Sequence, residues 1–293
     1  MHEEARSKLL EDLRPLNLWL DDFGNYFLPH DKSQFRPPPH RLDYMMPSQQ
    51  EFDNLPNVHM VCSSQDRQGY KFGIRKGIGR VFPTMFVPPA VDATPDVLFP
   101  PGTCHRASIP ATRYIRHDDS QQMLIYADGA CLYNGQANAR AGWAFVLKPT
   151  RDGHVHVSGR LENKGPFGDP SDQTSNRAEL RAILAALRFR HWTGEGFKAL
   201  VLATDSEYVA KGATQWTRTW LRNGWRTSTG AVKNKDLWEM LLGEVERWDY
   251  WGLKIQFWTI PRAFNEVADR AAKHAAQEEH SHDEYRDISG IMI

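Results

Sequence analysis

Two short apolar runs of this 293-residue chain each end in an aspartate, and they constrain the fold more than any other feature. The first is Gln122-Met-Leu-Ile-Tyr-Ala followed by Asp128, and the second is Leu200-Val-Leu-Ala-Thr followed by Asp205. Short apolar runs bounded by turn-forming residues are typical of buried strands. The sequence therefore predicts two buried strands, each of which delivers a carboxylate at its exit.

Two further acids lie in predicted helices. Glu179 falls on the small-residue face of a helix predicted over residues 174–187, and Asp269 lies in the first turns of an Ala-rich helix at 265–276. A carboxylate on a helix face that packs against a sheet is unexpected, because desolvation raises its pKa. A metal ion reverses that cost.

Four carboxylates in such contexts can bind two divalent metal ions. Mg²⁺ takes one or two carboxylates per ion and fills its remaining positions with water and phosphate oxygens, so this set suits phosphodiester chemistry. Taken singly, an aspartate before glycine is more often a turn former than a catalytic group. The hypothesis therefore depends on the joint pattern.

A basic, aromatic segment runs from Tyr208 to Lys235 without an acidic residue. Its six cations are interleaved with three tryptophans: Lys211, Arg218, Arg222, Arg226, Lys233 and Lys235, with Trp216, Trp220 and Trp225. Cations that alternate with aromatic rings suit a phosphate backbone flanked by bases or sugars. The alternative is an amphipathic helix with tryptophans in the core and cations in solvent.

From about Gln121 to Gln277 the chain resembles the cellular type 1 ribonuclease H family, over a little more than half its length. The matching segments occur in the family's order: Tyr126-Ala-Asp-Gly-Ala-Cys131 with Asn134-Gly135, Thr174-Ser-Asn-Arg-Ala-Glu179, Thr204-Asp-Ser206, Trp216 through Trp220-Leu-Arg-Asn-Gly-Trp225-Arg-Thr-Ser228, Asn234-Lys-Asp-Leu-Trp238 and Asn265-Glu-Val-Ala-Asp269. The resemblance implies an α/β fold, with a mixed five-stranded sheet of three antiparallel then two parallel strands, flanked by helices.

The resemblance also implies an activity. Family members are endoribonucleases that hydrolyse the RNA strand of RNA/DNA hybrids by a two-metal-ion mechanism. By this resemblance Asp128, Glu179, Asp205 and Asp269 are the catalytic, metal-binding residues. The expected cofactor is Mg²⁺, as two ions, with Mn²⁺ able to substitute.

Substrate contacts follow from the same resemblance. Asn134, Ser175 and Asn176 correspond to residues that contact the 2′-hydroxyl, the group that distinguishes RNA from DNA. Thr174 and Asn234 match positions of a phosphate pocket in the animal members.

The basic, aromatic segment corresponds to a protrusion that grips the DNA strand. Trp216, Arg222 and Arg226 would belong to it, and Trp220 is a further predicted substrate-binding residue. Residues 121–277 contain 21 basic and 16 acidic residues, a net charge of +5, so the basic surplus lies in the predicted catalytic domain.

Two departures from the family pattern leave an alternative open. The segment 259–265 is short and lacks the histidine that precedes the last acid in the family, and Arg262 is hypothesised to act there as a cation near the leaving phosphate. Asp172 stands where animal members place an arginine of the phosphate pocket. The alternative is a hybrid- or duplex-binding module with low or no activity; a nuclease acting on another nucleic acid is a third hypothesis.

The predicted organisation has three parts. Residues 1–120 form an N-terminal extension of unknown role, Pro-rich and partly irregular, which we expect to pack in part on the catalytic domain. Residues 121–278 form the ribonuclease H-like catalytic domain, and residues 279–293 an acidic mobile tail.

Cysteine usage predicts a reducing compartment, because Cys62, Cys104 and Cys131 are few, scattered and odd in number. The N-terminus is acidic and lacks the apolar run of a secretory signal, and no apolar run is long enough to span a bilayer. We therefore expect an intracellular protein, nuclear or cytoplasmic and not secreted, that binds an RNA/DNA hybrid. Neither a membrane nor a protein partner is evident.

Overall fold

The structure is a computed structural model. It describes residues 73–107, 110–150 and 153–288, and two short strands nearer the N-terminus. The chain divides into two compact units, residues 1–55 with 290–292, and residues 56–289 with Ile293. In the first unit β1 (Trp19–Leu20) pairs antiparallel with β2 (Tyr26–Phe27). The second unit contains the predicted catalytic domain and is described below.

Five strands form the centre of a mixed sheet in the described part of the second unit. The strands β6 (Asp119–Leu132), β7 (Arg140–Thr150) and β8 (Gly153–Arg160) make an antiparallel meander. Next to β6, β9 (Ala199–Thr204) runs parallel, and β12 (Lys254–Thr259) runs parallel to β9. The predicted order of three antiparallel then two parallel strands is confirmed.

Three further strands of this sheet come from residues that the sequence analysis assigned to the extension. The strand β5 (Ala111–Arg116) pairs antiparallel with the first part of β6, and β4 (Pro101–Cys104) pairs antiparallel with β5. At the opposite edge, β3 (Thr84–Met85) pairs parallel with β12. Sequence reasoning missed these strands because they are short and separated by proline.

The helices flank the sheet, and two short strands, β10 (Arg226–Thr227) and β11 (Gly230–Ala231), form a separate hairpin. The α-helices of the described residues are α1 (Pro95–Leu98), α2 (Ser175–Phe189), α3 (Glu207–Lys211), α4 (Thr217–Arg222), α5 (Lys235–Tyr250) and α6 (Glu266–Gln277). A π-helical turn, Gly212–Trp216, joins α3 to α4. Across the described ranges, none of these helices has the length and apolar character needed to cross a bilayer.

Two hydrophobic clusters cover different parts of the sheet. The larger one buries side chains of α2 and α5, including Trp238 and Trp248. The other joins the segment around α1 to the sheet: the ring centroids of Phe86 and Phe99 lie 4.9 Å and 6.3 Å from that of Trp258. Aromatic burial of this kind is strongly stabilising, so part of the N-terminal extension is integral to this unit.

The segment that follows α6 is attached to α2. Arg181 stacks on the ring of Tyr285 at 4.4 Å, and Arg188 donates hydrogen bonds to both carboxylate oxygens of Asp287, at 2.7 Å and 2.6 Å. We expected a mobile acidic tail, but its described part, through residue 288, is packed. The physical reason is that buried arginines of α2 require anionic partners, and this segment supplies one.

Candidate active site

Asp128 and Asp205 lie at the same level of two neighbouring parallel strands. β6 and β9 are in register with Tyr126 opposite Ala203, and each aspartate follows its paired residue by two positions. As predicted, β9 ends directly before Asp205. The prediction that Asp128 ends its strand is wrong, because β6 continues past it and pairs with β7, with Asp128 opposite Ala144.

Gly129 allows α2 to approach β6. A Cβ atom at position 129 would lie 2.1 Å from the backbone nitrogen of Glu179 and 2.3 Å from the carbonyl carbon of Ala178, so no larger residue fits without moving the helix. This contact places Glu179 beside Asp128. One carboxylate oxygen from each of Asp128, Glu179 and Asp205 lies within 4.8 Å of the others, and we call these three residues the acid triad.

Burial and mutual repulsion dominate the electrostatics of the acid triad. Asp128 is 3% exposed, and burial, followed by the charges of Asp205 and Asp269, raises the pKa of Asp128 to about 7. Burial, followed by the charges of Asp128 and Asp205, raises the pKa of Glu179 well above its ordinary value. A bound divalent cation favours the charged carboxylates and would reverse both shifts. Hard carboxylate oxygens at this spacing fit such an ion.

The fourth predicted acid, Asp269, is not part of this cluster. It lies in the first turn of α6, where its Oδ2 accepts a hydrogen bond from Lys273 Nζ at 2.7 Å and its Oδ1 accepts one from Arg262 Nη2. The other terminal nitrogen of Arg262, Nη1, lies 3.9 Å from Asp205 Oδ2. Arg262 therefore connects Asp269 to the acid triad.

Asn265 is a site residue whose role the sequence analysis missed. Its side chain is buried, and its amide nitrogen donates to the carbonyl oxygen of Ala127 at 3.0 Å and to Asp205 Oδ1 at 2.9 Å. These bonds fix the orientation of Asp205. An asparagine before a helix is normally interpreted as its N-cap, but this side chain makes no capping hydrogen bond to α6.

The residues predicted to contact the 2′-hydroxyl lie in the turn that follows β6 and in the first turn of α2, and β6 and α2 each carry one acid of the triad. Asn134 is exposed in the turn after β6. Ser175 and Asn176 begin α2, and Ser175 precedes Glu179 by four residues, so those two share a helix face.

The two residues of the predicted phosphate pocket are connected through one arginine. The Thr174 hydroxyl accepts a hydrogen bond from the backbone nitrogen of Arg177 at 3.3 Å, and Arg177 Nη1 donates to Asn234 Oδ1 at 3.5 Å. Arg177 is also paired with Asp236, while Asp172 is exposed. The pocket therefore has a buried arginine, but its charge is shared with an internal acid.

The basic, aromatic segment is packed through its rings and exposed through its cations. The ring centroid of Trp220 lies 5.8 Å from that of Trp216 and 5.5 Å from that of Trp238. Trp216 is 36% exposed, and Arg222 and Arg226 are exposed. The tryptophan rings thus pack together, and the two arginines face solvent.

Comparisons with known proteins agree with this geometry. The family model described as RNase H matches residues 120–277. Ribonuclease H of Treponema pallidum is 38% identical over 163 residues, which cover 53% of this chain and 90% of that protein. Ribonuclease H1 of Mus musculus is 35% identical over 165 residues, covering 54% of this chain and 51% of the mouse protein. The crystal structure of RNase H1 from Halobacterium salinarum aligns over 53% of this chain and 96% of its own at 27% identity, with a TM-score of 0.34.

The sequence match rather than this low TM-score establishes the class. A mixed sheet that brings Asp128 and Asp205 together on neighbouring parallel strands, with Glu179 on the helix packed against them, defines a metal-dependent nuclease domain of the ribonuclease H type. The chain belongs to the ribonuclease H family, whose members are endoribonucleases acting on RNA/DNA hybrids.

Proposed function

We propose that this protein hydrolyses the RNA strand of RNA/DNA hybrids with two Mg²⁺ ions, held by Asp128, Glu179, Asp205 and Asp269. The observation that supports this most strongly is the acid triad, in which three carboxylates meet within 4.8 Å. Buried acids that raise each other's pKa are costly to the fold unless a cation binds them. Mn²⁺ is expected to substitute, since it accepts the same oxygen ligands.

The residues of the site would divide the work of the reaction. Asp128, Glu179, Asp205 and Asp269 would hold the ions, which would supply an activated water and neutralise charge on the departing 3′ oxygen. Asn265 keeps Asp205 directed at the site through its 2.9 Å hydrogen bond. Gly129 keeps Glu179 against the strand. Because the Asn265 side chain is buried and Gly129 lies directly against the backbone of α2, the carboxylates are held in place before substrate arrives, which favours electrostatic catalysis.

Recognition of the hybrid would use the remaining predicted residues. We propose that Asn134, Ser175 and Asn176 contact 2′-hydroxyl groups of the RNA strand, since each offers a short polar side chain in a segment that follows or includes an acid of the triad. Thr174 and Asn234 would hold a phosphate of the DNA strand next to Arg177.

The exposed arginines of the protrusion would bind further phosphates, with Trp216 beside them and Trp220 supporting the protrusion through its packed ring.

Changing Arg222 and Arg226 together to Gln should reduce the salt dependence of hybrid binding. The slope of log affinity against log salt concentration should fall by about one for each phosphate that the variant no longer neutralises. The matched control changes Lys198 and Lys254 to Gln. These exposed lysines lie at the opposite end of β9 and β12 from the acids. Equal effects of the two double variants would contradict a specific role for the protrusion.

A cleavage assay tests the proposed activity. Labelled RNA/DNA hybrid, double-stranded RNA and single-stranded RNA are each incubated with the protein in Mg²⁺, beside Asp128→Asn. Cleavage limited to the hybrid and lost in the variant is the expected result. Cleavage of another substrate, or cleavage that Asp128→Asn retains, would contradict the proposal.

One observation favours the second candidate, a hybrid-binding module with little turnover. Asp269 already forms ion pairs with Arg262 and Lys273, so a second metal ion would compete with these two cations for its carboxylate. Tight hybrid binding without products in the assay above would establish this alternative.

We further propose that the catalytic domain extends beyond residues 121–278 and includes Arg75 and the strands β3, β4 and β5. Arg75 is buried and donates to the carbonyl oxygen of Gly243 at 3.0 Å and 2.9 Å, and β3, β4 and β5 belong to the same sheet. The free thiols of Cys104 and Cys131 suit a reducing compartment, which supports a nuclear or cytoplasmic location.

A further inference from the structure

Arg262 lies at the edge of the acid triad and contacts two acids at once. Its Nη2 donates to Asp269 Oδ1, and its Nη1 lies 3.9 Å from Asp205 Oδ2. The arginine belongs to a short 3₁₀ turn, Arg262–Phe264, directly between β12 and α6. The turn therefore delivers a cation to the gap between the two acids.

The carboxylate of Asp269 is fully engaged in this arrangement. Arg262 occupies one oxygen and Lys273 the other, at 2.7 Å, while the side chain of Asp269 is 11% exposed. Each oxygen keeps a second lone pair, but a divalent ion beside Asp269 would lie against one of these two positive charges and would compete with it. Lys273 lies four residues further along α6 and is held by helix geometry, whereas Arg262 extends from a turn with a side chain that is 64% exposed.

Arg262 is the cation more readily displaced. Its exposed guanidinium can move into the open cleft lined by Arg262, Ala263, Glu266, Asp269 and Arg270. An exposed ion pair contributes little free energy, so a divalent ion can replace it without a large cost. The acid triad is less affected, because only Asp205 of its three acids forms an ion pair with Arg262, and their closest atoms are 3.9 Å apart.

We propose that Arg262 is the resting counter-ion of Asp205 and Asp269, and that a divalent ion coordinated by Asp269 must displace it. This inference rests on the proposed two-ion function. Its consequence is that the two ions bind unequally: one binds at the acid triad directly, and the other binds in competition with Arg262. Arg262 would then be a positioning residue that sets the metal concentration at which the site becomes complete.

Metal binding, measured apart from catalysis, tests the inference. The binding isotherm of Mn²⁺ alone is recorded by electron paramagnetic resonance of free Mn²⁺, for the full chain and for Arg262→Gln. Removal of the competitor should tighten the weaker site about two- to fivefold, the factor that a partly exposed charge pair contributes, and leave the tighter site nearly unchanged. The half-saturating Mg²⁺ concentration for hybrid cleavage should fall in parallel.

Arg270→Gln is the matched control, because it removes the same charge from the same cleft. A smaller shift in Arg270→Gln than in Arg262→Gln supports direct competition. Equal shifts in Mn²⁺ affinity would mean that only the general electrostatic field changed, and this would overturn the inference. The inference would also fail if Arg262→Gln weakened Mn²⁺ binding at the weaker site or left it unchanged.

Two more variants separate this inference from the proposed function. Asp269→Asn should abolish the weaker Mn²⁺ site, and Asp128→Asn should abolish the tighter one. If neither changes Mn²⁺ binding, the proposed metal site itself is wrong. If both act as expected while Arg262→Gln has no effect, the metal site stands and the role of Arg262 is refuted.

Discussion

Buried carboxylates occupy two contrasting settings in this protein. Glu244 lies between Arg188 and Arg247, each of which forms an ion pair with it, and its side chain is 1% exposed. Asp128 is also buried and Glu179 is half-buried, but their closest charged neighbours in the acid triad are other acids. The first setting neutralises an acid with the protein's own cations, and the second does not.

The contrast separates acids that stabilise the fold from acids that serve the reaction. A buried ion pair satisfies its own charges, and removing one partner is strongly destabilising. Acids that repel one another reduce stability and are tolerated where function requires a cation from outside. Asp269 is intermediate, because its cations are partly exposed. The same chemical substitution should therefore have opposite effects in the two settings.

Glu179→Gln should have the largest effect on activity. The change keeps the shape of the side chain but removes a charge from the acid triad, and we expect hybrid cleavage to fall at least about 10²–10³-fold. Single-turnover cleavage in Mg²⁺ measures this. Activity within tenfold of the unmodified protein would show that Glu179 is not a metal ligand in the reaction.

Glu244→Gln should have the largest effect on stability. It leaves Arg188 and Arg247 buried without their shared anion, so we expect the free energy of unfolding to fall by about 3–5 kcal/mol. Denaturant unfolding measures the change, with Glu207→Gln as the control, because the exposed Glu207–Lys211 pair should contribute about 0–1 kcal/mol. In the metal-free protein, Glu179→Gln should be neutral or stabilising. If Glu179→Gln lowered the free energy of unfolding as much as Glu244→Gln, the two settings would not differ in their effect on stability.

Mg²⁺ should stabilise the protein more at pH 8 than at pH 5.5. The folded-state pKa of Asp128 is raised to about 7, so the metal-free protein loses stability as the pH rises through 7 and the buried acid ionises. Protons also compete with the metal at low pH. We expect the extra stabilisation at pH 8 to be on the order of 1–3 kcal/mol.

Thermal unfolding with and without Mg²⁺ measures this stabilisation at each pH, and Asp128→Asn should reduce the difference between the two pH values. If Mg²⁺ stabilised the protein equally at both pH values, the repulsion assigned to Asp128 and its neighbouring acids would be contradicted.

Asp287→Asn should have the smallest effect of the four. Asp287 shares Arg188 with Glu244 and is partly exposed, so we expect a loss of about 1–2 kcal/mol in the free energy of unfolding. Asp283→Asn is the control from the same segment, since Asp283 is exposed and its Oδ1 accepts a hydrogen bond from Asn163 Nδ2 at 2.9 Å. Equal losses would mean that the segment is held by its backbone rather than by the arginine.

Much of the fold was predictable because its signals are local. The apolar runs before Asp128 and Asp205 predicted neighbouring strands, and the motifs between residues 121 and 277 predicted the order of the sheet. The strands β4 and β5 were not predicted because they are short and separated by proline, and β3 was not predicted because it depends on pairing with the distant strand β12. Asn265 was missed for the same reason: its partner Asp205 lies 60 residues away.

The sequence by itself determined the types and the order of the site residues, because side-chain chemistry and apolar runs are properties of short segments. Only the tertiary structure decided how these acids share charge. It brought Asp128, Glu179 and Asp205 into one cluster, and it paired Asp269 with Arg262 and Lys273. The physical reason is that electrostatic interaction depends on distance and burial, which arise when strands pair and helices pack.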